Sequence, residues 1–162
     1  MSNGTFDAAG WFEECLRIVV PSGVAEPASP YGDPGRRRNA VVEETFELAS
    51  RVMDYTEVLF RTNRVFADQS LRSGTSVGSH TREAQSAESL ADFAHKMKMA
   101  HKELEETDFR LSLCHVKTHY PHDEELVRRT KALIPLFHRI LTTSRTRLNQ
   151  QAEERRAKRS TK

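Results

Sequence analysis

The chain has 162 residues, of which 37% are hydrophobic and 30% are charged. This length suits one domain with one core, and the charge content exceeds the roughly 25% of average soluble domains, which indicates extensive solvated surface. No run approaches the roughly 18 uncharged apolar residues of a membrane span, so we expect neither a membrane protein nor an obvious secreted one. Two cysteines, Cys15 and Cys114, fit a reducing cytoplasm better than a disulfide framework.

The net charge of +2 hides an uneven distribution. From Arg145 to the end there are seven basic and two acidic residues, a local charge of +5, which leaves −3 on the remainder. A basic end on a slightly acidic body can bind an anionic partner such as RNA or DNA. A solvated helix end is the alternative, because charge runs are usually solvated. The candidate nucleic-acid contacts in this segment are Arg145, Arg147, Arg155, Arg156, Lys158 and Arg159.

Residues 1–38 are expected to form an irregular N-terminal extension, and residues 39–162 the main domain. Residues 21–38 contain four prolines and three glycines without apolar periodicity, which predicts a linker. The preceding residues allow a short amphipathic helix, although Gly10 weakens it and nothing indicates where it docks. Its apolar residues are Phe6, Trp11, Phe12, Leu16, Val19 and Val20.

Helix one is predicted over about residues 39–61 from apolar residues spaced three and four apart. This principal stripe consists of Val42, Phe46, Ala49, Met53, Thr56 and Phe60. A second set broadens the apolar face and consists of Val41, Leu48, Val52, Tyr55 and Leu59. This width exceeds what one neighbouring helix can bury, which favours a homo-oligomer.

Helix two is predicted over about residues 63–85, although its centre is rich in serine and glycine. Ser70, Gly74 and Gly78 recur every four residues and so share one face, where a neighbouring helix can approach closely. Interior glycines cost up to about 1 kcal/mol each relative to alanine, which a packing gain would offset. A flexible loop is the alternative.

Helices three and four complete the pattern. Helix three starts at a cap supplied by Ser89 or Ser86 and ends near His119. Helix four runs from about Asp123 to the mid-150s, with a kink but no break expected at Pro135. The helix-three stripe keeps its spacing over Leu90, Phe93, Met97, Ala100, Leu104, Thr107, Leu111 and Cys114. Four such helices with short connections predict an all-α, antiparallel up-down-up-down four-helix bundle.

Two groups of residues suggest catalysis or metal binding and are set aside. Residues 74–78 match G-x-S-x-G, but the nucleophile elbow needs a strand before the serine, and none is predicted. A zinc site would use the histidines that end helix three, for which a polar helix end is the simpler interpretation. The members of that group are Cys114, His115, His119 and His122. We therefore expect no catalytic residues, no metal ligands and no cofactor.

Two blocks of sequence resemble a known family. Residues 71–84 read LRSGTSVGSHTREA and residues 92–107 read DFAHKMKMAHKELEET. Both are similar to the bacterial four-helix-bundle proteins encoded by intervening sequences within 23S ribosomal RNA genes, with similarity over about residues 40–150. The resemblance implies a cytoplasmic ring, commonly a pentamer, without established enzymatic activity. A related group serves as accessory subunits of reverse transcriptases in diversity-generating retroelements.

The resemblance also implies a set of functional polar residues for assembly or binding. Three of them, Arg72, Arg82 and Lys96, join the nucleic-acid candidates. The expected function is thus a non-catalytic homo-oligomeric scaffold that binds nucleic acid or a nucleic-acid-processing partner. A ring that binds only protein is the alternative, and a metal-binding or hydrolytic protein is less favoured. The whole set is Arg72, Ser73, Thr75, Ser76, Gly78, Arg82, Glu83, Lys96, Lys102 and Glu106.

Overall fold

The computed structural model describes residues 6–17 and 39–160, which contain five helices and no strand. The predicted linker lies outside these residues. The last four helices pack in chain order, and the second also contacts the fifth, so they form the predicted antiparallel four-helix bundle. None of the five combines the length and apolar character needed to cross a membrane. The helices are α1 (Ala8–Arg17), α2 (Ala40–Phe60), α3 (Arg64–Ala84), α4 (Leu90–His115) and α5 (Glu124–Ser160).

Each bundle helix begins at a polar residue that accepts hydrogen bonds from the first backbone N–H groups. Asn39, Asn63 and Ser89 do so for α2, α3 and α4, and Asp123 does so for α5. Ser89, not Ser86, is thus the cap of α4. Asp123 also forms an ion pair with Arg51 of α2 at 3.1 Å, which joins the start of α5 to the middle of α2.

The stripe predicted for helix three, which is α4 in the structure, is confirmed along its whole length. The buried residues of this helix are Leu90, Phe93, Met97, Ala100, Leu104, Thr107, Leu111 and Cys114. Their unbroken spacing keeps one face of α4 towards the core from end to end.

For helix one of the sequence analysis, which is α2, the second predicted set is buried, whereas most of the principal stripe is not, and of that stripe only Thr56 is buried. Phe46, Met53 and Phe60 are 44–55% exposed. Thr45 enters the core because its hydroxyl donates to the carbonyl of Val41 at 2.9 Å, which satisfies the buried oxygen. The buried residues are Val41, Thr45, Leu48, Val52, Tyr55, Thr56 and Leu59.

The glycine-containing helix α3 and the proline-containing helix α5 are both continuous. α3 runs unbroken through its two glycines, so the loop alternative is wrong. α5 continues past Pro135 for a further 25 residues to its end, which confirms that the proline does not break the helix. Pro135 is exposed, so its ring displaces no core side chain.

The N-terminal helix α1 packs onto the bundle. Phe12 is fully buried, with its ring edge-on to Phe93 of α4 at a centroid distance of 4.7 Å. Trp11 donates its indole N–H to the Ser144 hydroxyl of α5 at 3.1 Å. Cys15 is also buried, and burial raises the pKa of its thiol to about 11. Residues 6–17 therefore extend the core at the end of the bundle where α4 begins.

Candidate nucleic-acid interface and self-association surface

The basic segment forms the exposed C-terminal part of α5. This helix has 37 residues and α4 has 26, which correspond to lengths of about 55 Å and 39 Å. All residues from 152 to 160 are exposed. Arg155, Arg156 and Arg159 line one shallow groove together with Leu148 and Gln151. Arg145, Arg147 and Lys158 are exposed as well. The result is a projecting helix with basic side chains open to solvent.

The other basic candidates lie on α3 and α4. Arg82 and Lys96 lie near the α3–α4 connection, which the antiparallel packing places at the same end of the bundle as the basic part of α5. Arg72 is exposed but lies ten residues before Arg82, about 15 Å along α3. The Lys96 ammonium is 3.6 Å from the Glu83 carboxylate, so its charge is partly neutralised. Arg82 is therefore the best placed of the three to extend the basic surface.

The glycine-rich face of α3 lies against α2. A Cβ atom built on Gly74 would lie 2.6 Å from both terminal carbons of Val52. One built on Gly78 would lie 3.1 Å from the Thr45 carbonyl oxygen. Ser70 is buried in the same face, and its hydroxyl donates to the Phe66 carbonyl at 2.8 Å. Gly74 and Gly78 thus lie against α2, and Gly74 and Ser70 are buried in the folded chain.

Among the remaining polar residues implied by the resemblance, Ser73 makes a hydrogen bond between helices, and Thr75 and Glu106 pair within their own helices. Ser73 accepts a hydrogen bond from Thr107 at 3.0 Å, which links α3 to α4 inside the core. Thr75 donates to the backbone of its own helix, and Glu106 pairs with Arg110. Ser76 lies in the middle of helix α3 along the chain, so it lacks the preceding strand and the sharp turn that activate a nucleophilic serine. Lys102 is exposed.

The histidines near the end of α4 contact the helix end and the loop that follows it. The His122 Nε2 atom is 3.2 Å from the carbonyl oxygens of Cys114 and Lys117, which makes it a link between the helix end and the loop. Burial raises the pKa of the Cys114 thiol, so this sulfur is not a ready thiolate ligand. The rings of His115 and His122 lie 5.1 Å apart.

A different cluster, missed in the sequence, joins α4 to α5. It consists of His101 and Glu105, one turn apart on α4, and His138 of α5. Burial, together with His138, lowers the pKa of His101, whereas Glu105 acts in the opposite direction. The spacing of His101 and Glu105 is visible in the sequence. His138 joins them only because α5 packs against α4.

Two apolar strips remain on the surface of the described helices. The α2 strip consists of Phe46, Met53 and Phe60, which recur every seven residues on one face. The α4 strip lies near the end of that helix, and its members are Phe109, Leu113 and Val116, which are 38–71% exposed. Contiguous exposed apolar side chains on a small protein are typical of surfaces that bind other macromolecules.

The fold defines this protein as a small helical bundle that presents a basic helix end and apolar strips. Residues 37–141 match the family model described as 23S rRNA-intervening sequence protein. This match spans more than half of the chain, so the chain belongs to that family. The first 36 residues and the part of α5 beyond residue 141, including the basic end, lie outside the match.

One solved structure extends the comparison. A protein of unknown function from the S23 ribosomal protein family of Bacteroides thetaiotaomicron VPI-5482 shares 31% sequence identity, with a TM-score of 0.59. The similarity covers 63% of this chain and 98% of that one. Among curated proteins, none matches this chain. The chain thus contains nearly all of the related bundle together with additional segments.

Proposed function

We propose that this protein is a non-catalytic scaffold that associates with copies of itself and binds the phosphate backbone of RNA or DNA through the basic end of α5. The observation that carries the proposal is the exposure of all six basic side chains between residues 145 and 160 on a helix longer than its neighbours. The ring of five implied by the family resemblance is part of the proposal.

The chemistry of this helix end fits a polyanion better than a small ligand. Arginine forms charge-assisted hydrogen bonds with phosphate oxygens, and the release of condensed counterions favours such contacts. A single exposed groove with three arginines provides only modest affinity. Several copies in one assembly would engage one nucleic acid together, which raises the overall affinity without new contacts. This scaffold therefore combines weak sites with multivalency.

Replacing the three groove arginines tests the nucleic-acid contact. The variant Arg155→Gln, Arg156→Gln, Arg159→Gln should bind a fluorescent single-stranded RNA or a DNA duplex more weakly than the unaltered protein. The slope of log affinity against log salt should become shallower by about 2 to 3 for each bound helix end, because three phosphate contacts are lost. Fluorescence anisotropy over a salt series measures both effects.

The matched control removes three basic residues in the opposite half of the bundle. Arg61, Lys117 and Lys131 are exposed in that half of the bundle, and their replacement by glutamine changes the net charge by the same amount. This control should retain most of the affinity and the salt slope. Equal losses in the two variants would show a general charge effect and refute the α5 interface. Absence of any binding by the unaltered protein at low salt would refute the nucleic-acid function.

The α2 strip supports the self-association part of the proposal. Phe46, Met53 and Phe60 present three large apolar side chains in one row, yet the core is already filled by the neighbouring stripe of α2. Burying such a row against a second chain removes apolar surface from water at about 25 cal/mol per Å². Cyclic assembly is a common way to do so in soluble proteins.

A glutamate in the centre of the α2 strip should disrupt the assembly. Met53→Glu places a charge among apolar side chains of the interface, and light scattering coupled to gel filtration should report a smaller mass. Val58→Glu is the control, because Val58 is 52% exposed on the same helix but about 140° away around its axis. An oligomer preserved in Met53→Glu, or a monomeric unaltered protein near 18.5 kDa, would contradict this surface.

A second candidate function is a ring that binds protein alone. The α4 strip favours it, because Phe109 and Val116 are 62% and 71% exposed. Apolar anchors of this kind fit a groove on a partner protein. Failure of nucleic-acid binding together with retained self-association would select this function over the first.

A further inference from the structure

The cluster of His101, Glu105 and His138 has the geometry of a metal site. The His101 Nε2 atom is 3.4 Å from the Glu105 Oε1 atom, and the His138 Nε2 atom is 3.9 Å from that same oxygen. One ligand atom from each side chain lies within 4.8 Å of the other two. Two ligands at about 2.0–2.1 Å from a tetrahedral zinc ion are themselves about 3.4 Å apart. The His101–Glu105 pair therefore already has the spacing of two ligands around one ion.

The His101 ring nitrogen lacks the partner that a buried polar atom normally has. Its Nε2 atom is screened from solvent and makes no hydrogen bond, although Glu105 lies nearby. Buried polar atoms in folded proteins are usually satisfied, so an unpartnered one calls for an explanation. An ion between His101, Glu105 and His138 would supply it, because the imidazole lone pair would then be directed at the metal.

Packing fixes the His101 donor, whereas the Glu105 side chain is 52% exposed and, like His138, can adjust. His101 and Glu105 are one turn apart on α4, and the His101 ring stacks on Phe137 of α5 at 6.3 Å. The His101 side chain is 14% exposed, whereas that of His138 is 63% exposed. A rotamer change of His138 can therefore bring its Nε2 atom, which is 3.9 Å from the Glu105 Oε1 atom, to the spacing of two metal ligands without moving a helix.

We propose that His101, Glu105 and His138 bind one divalent transition-metal ion, with zinc as the representative ion, across the seam between α4 and α5. Two imidazoles and one carboxylate suit zinc, cobalt, nickel and copper, whereas calcium and magnesium prefer all-oxygen sites. The bound ion links α4 to α5 and stabilises the folded bundle, since it binds the native state and finds no preformed site in the unfolded chain. This inference is independent of nucleic-acid binding.

Calorimetric titration of the chelator-treated full-length chain with zinc chloride tests the proposal. The unaltered protein should bind one zinc ion per chain, and saturating zinc should raise its melting temperature. His138→Ala removes an exposed ligand and should leave the fold intact while weakening zinc binding tenfold or more. Glu105→Gln keeps the side-chain shape, removes the charge, and should also weaken binding at least tenfold.

His115→Ala is the matched control, since it removes one exposed histidine from a different histidine pair. This variant should bind one zinc ion with unaltered affinity. With cobalt, the visible absorption of a low-coordinate site should appear in the unaltered protein and in His115→Ala but not in His138→Ala. Absence of zinc binding, or a loss of less than tenfold in His138→Ala and Glu105→Gln, overturns the proposed site. Loss of zinc binding in His115→Ala does so as well.

Discussion

Gly74→Leu should destabilise the protein by about 3 kcal/mol or more, at the upper end of the cost of overpacking a core. Even a Cβ atom at this position would lie 2.6 Å from both terminal carbons of Val52, well inside van der Waals contact. A leucine adds three more carbons where α3 and α2 touch, so the helices must separate. Urea unfolding followed by circular dichroism measures the loss.

Gly78→Ala is the control for Gly74→Leu. A Cβ atom at Gly78 meets the Thr45 carbonyl oxygen at 3.1 Å and the Ala49 Cβ at 3.6 Å, which is tight but far less severe. Alanine also favours the helix by up to about 1 kcal/mol over glycine. The net change should therefore stay within about 1 kcal/mol. Unaltered stability of Gly74→Leu would show that α3 does not pack closely on α2.

Phe12→Ala should destabilise the protein by about 3–5 kcal/mol, which is typical of a fully buried phenylalanine. Phe12 is 0% exposed and packs edge-on against Phe93, a geometry that adds about 0.5–1.5 kcal/mol beyond area burial. This effect is expected although Phe12 lies outside the region that matches the family model. The free energy of unfolding from urea titration provides the measurement.

Glu14→Ala serves as the control for Phe12→Ala. Glu14 is exposed on the same helix, so its replacement should change stability by less than about 0.5 kcal/mol. A loss below about 1 kcal/mol in Phe12→Ala would mean that α1 contributes little to the core, since burial of a phenylalanine is worth about 1.5–3 kcal/mol. A large loss in both variants would instead indicate a general sensitivity of α1.

The sequence predicts most of this fold because the four bundle helices are amphipathic and joined by short connections, and because α4 marks its core face clearly. The α4 stripe has no competing apolar face, so its buried residues follow directly from spacing. In α2 two apolar stripes lie side by side, and periodicity cannot tell which one faces the core and which remains exposed. Thr45 and Ser144 are buried but polar, and only their hydrogen bonds explain why the core accepts them.

The candidate sites were predictable to different degrees. The basic end of α5 is visible in charge alone, because its arginines are close together in the sequence. The cluster at His101 is not, since His138 lies 37 residues away and joins it only through the packing of α5 on α4. The docking of α1 could not be predicted either, because it also depends on packing between segments that are distant in the sequence. Its apolar residues are visible, but their contact with Phe93 depends on tertiary structure.

The buried position of Trp11 gives this protein an internal optical reporter. Trp11 is the only tryptophan in the chain, and its indole is enclosed between α1 and α5, where it donates to Ser144. Indole fluorescence shifts to longer wavelength when water reaches the ring, so emission follows the release of α1 from the bundle. The circular dichroism signal changes little in this event, because α1 has only ten residues beside four longer helices. Fluorescence and circular dichroism together therefore separate undocking of the N-terminal helix from unfolding of the bundle.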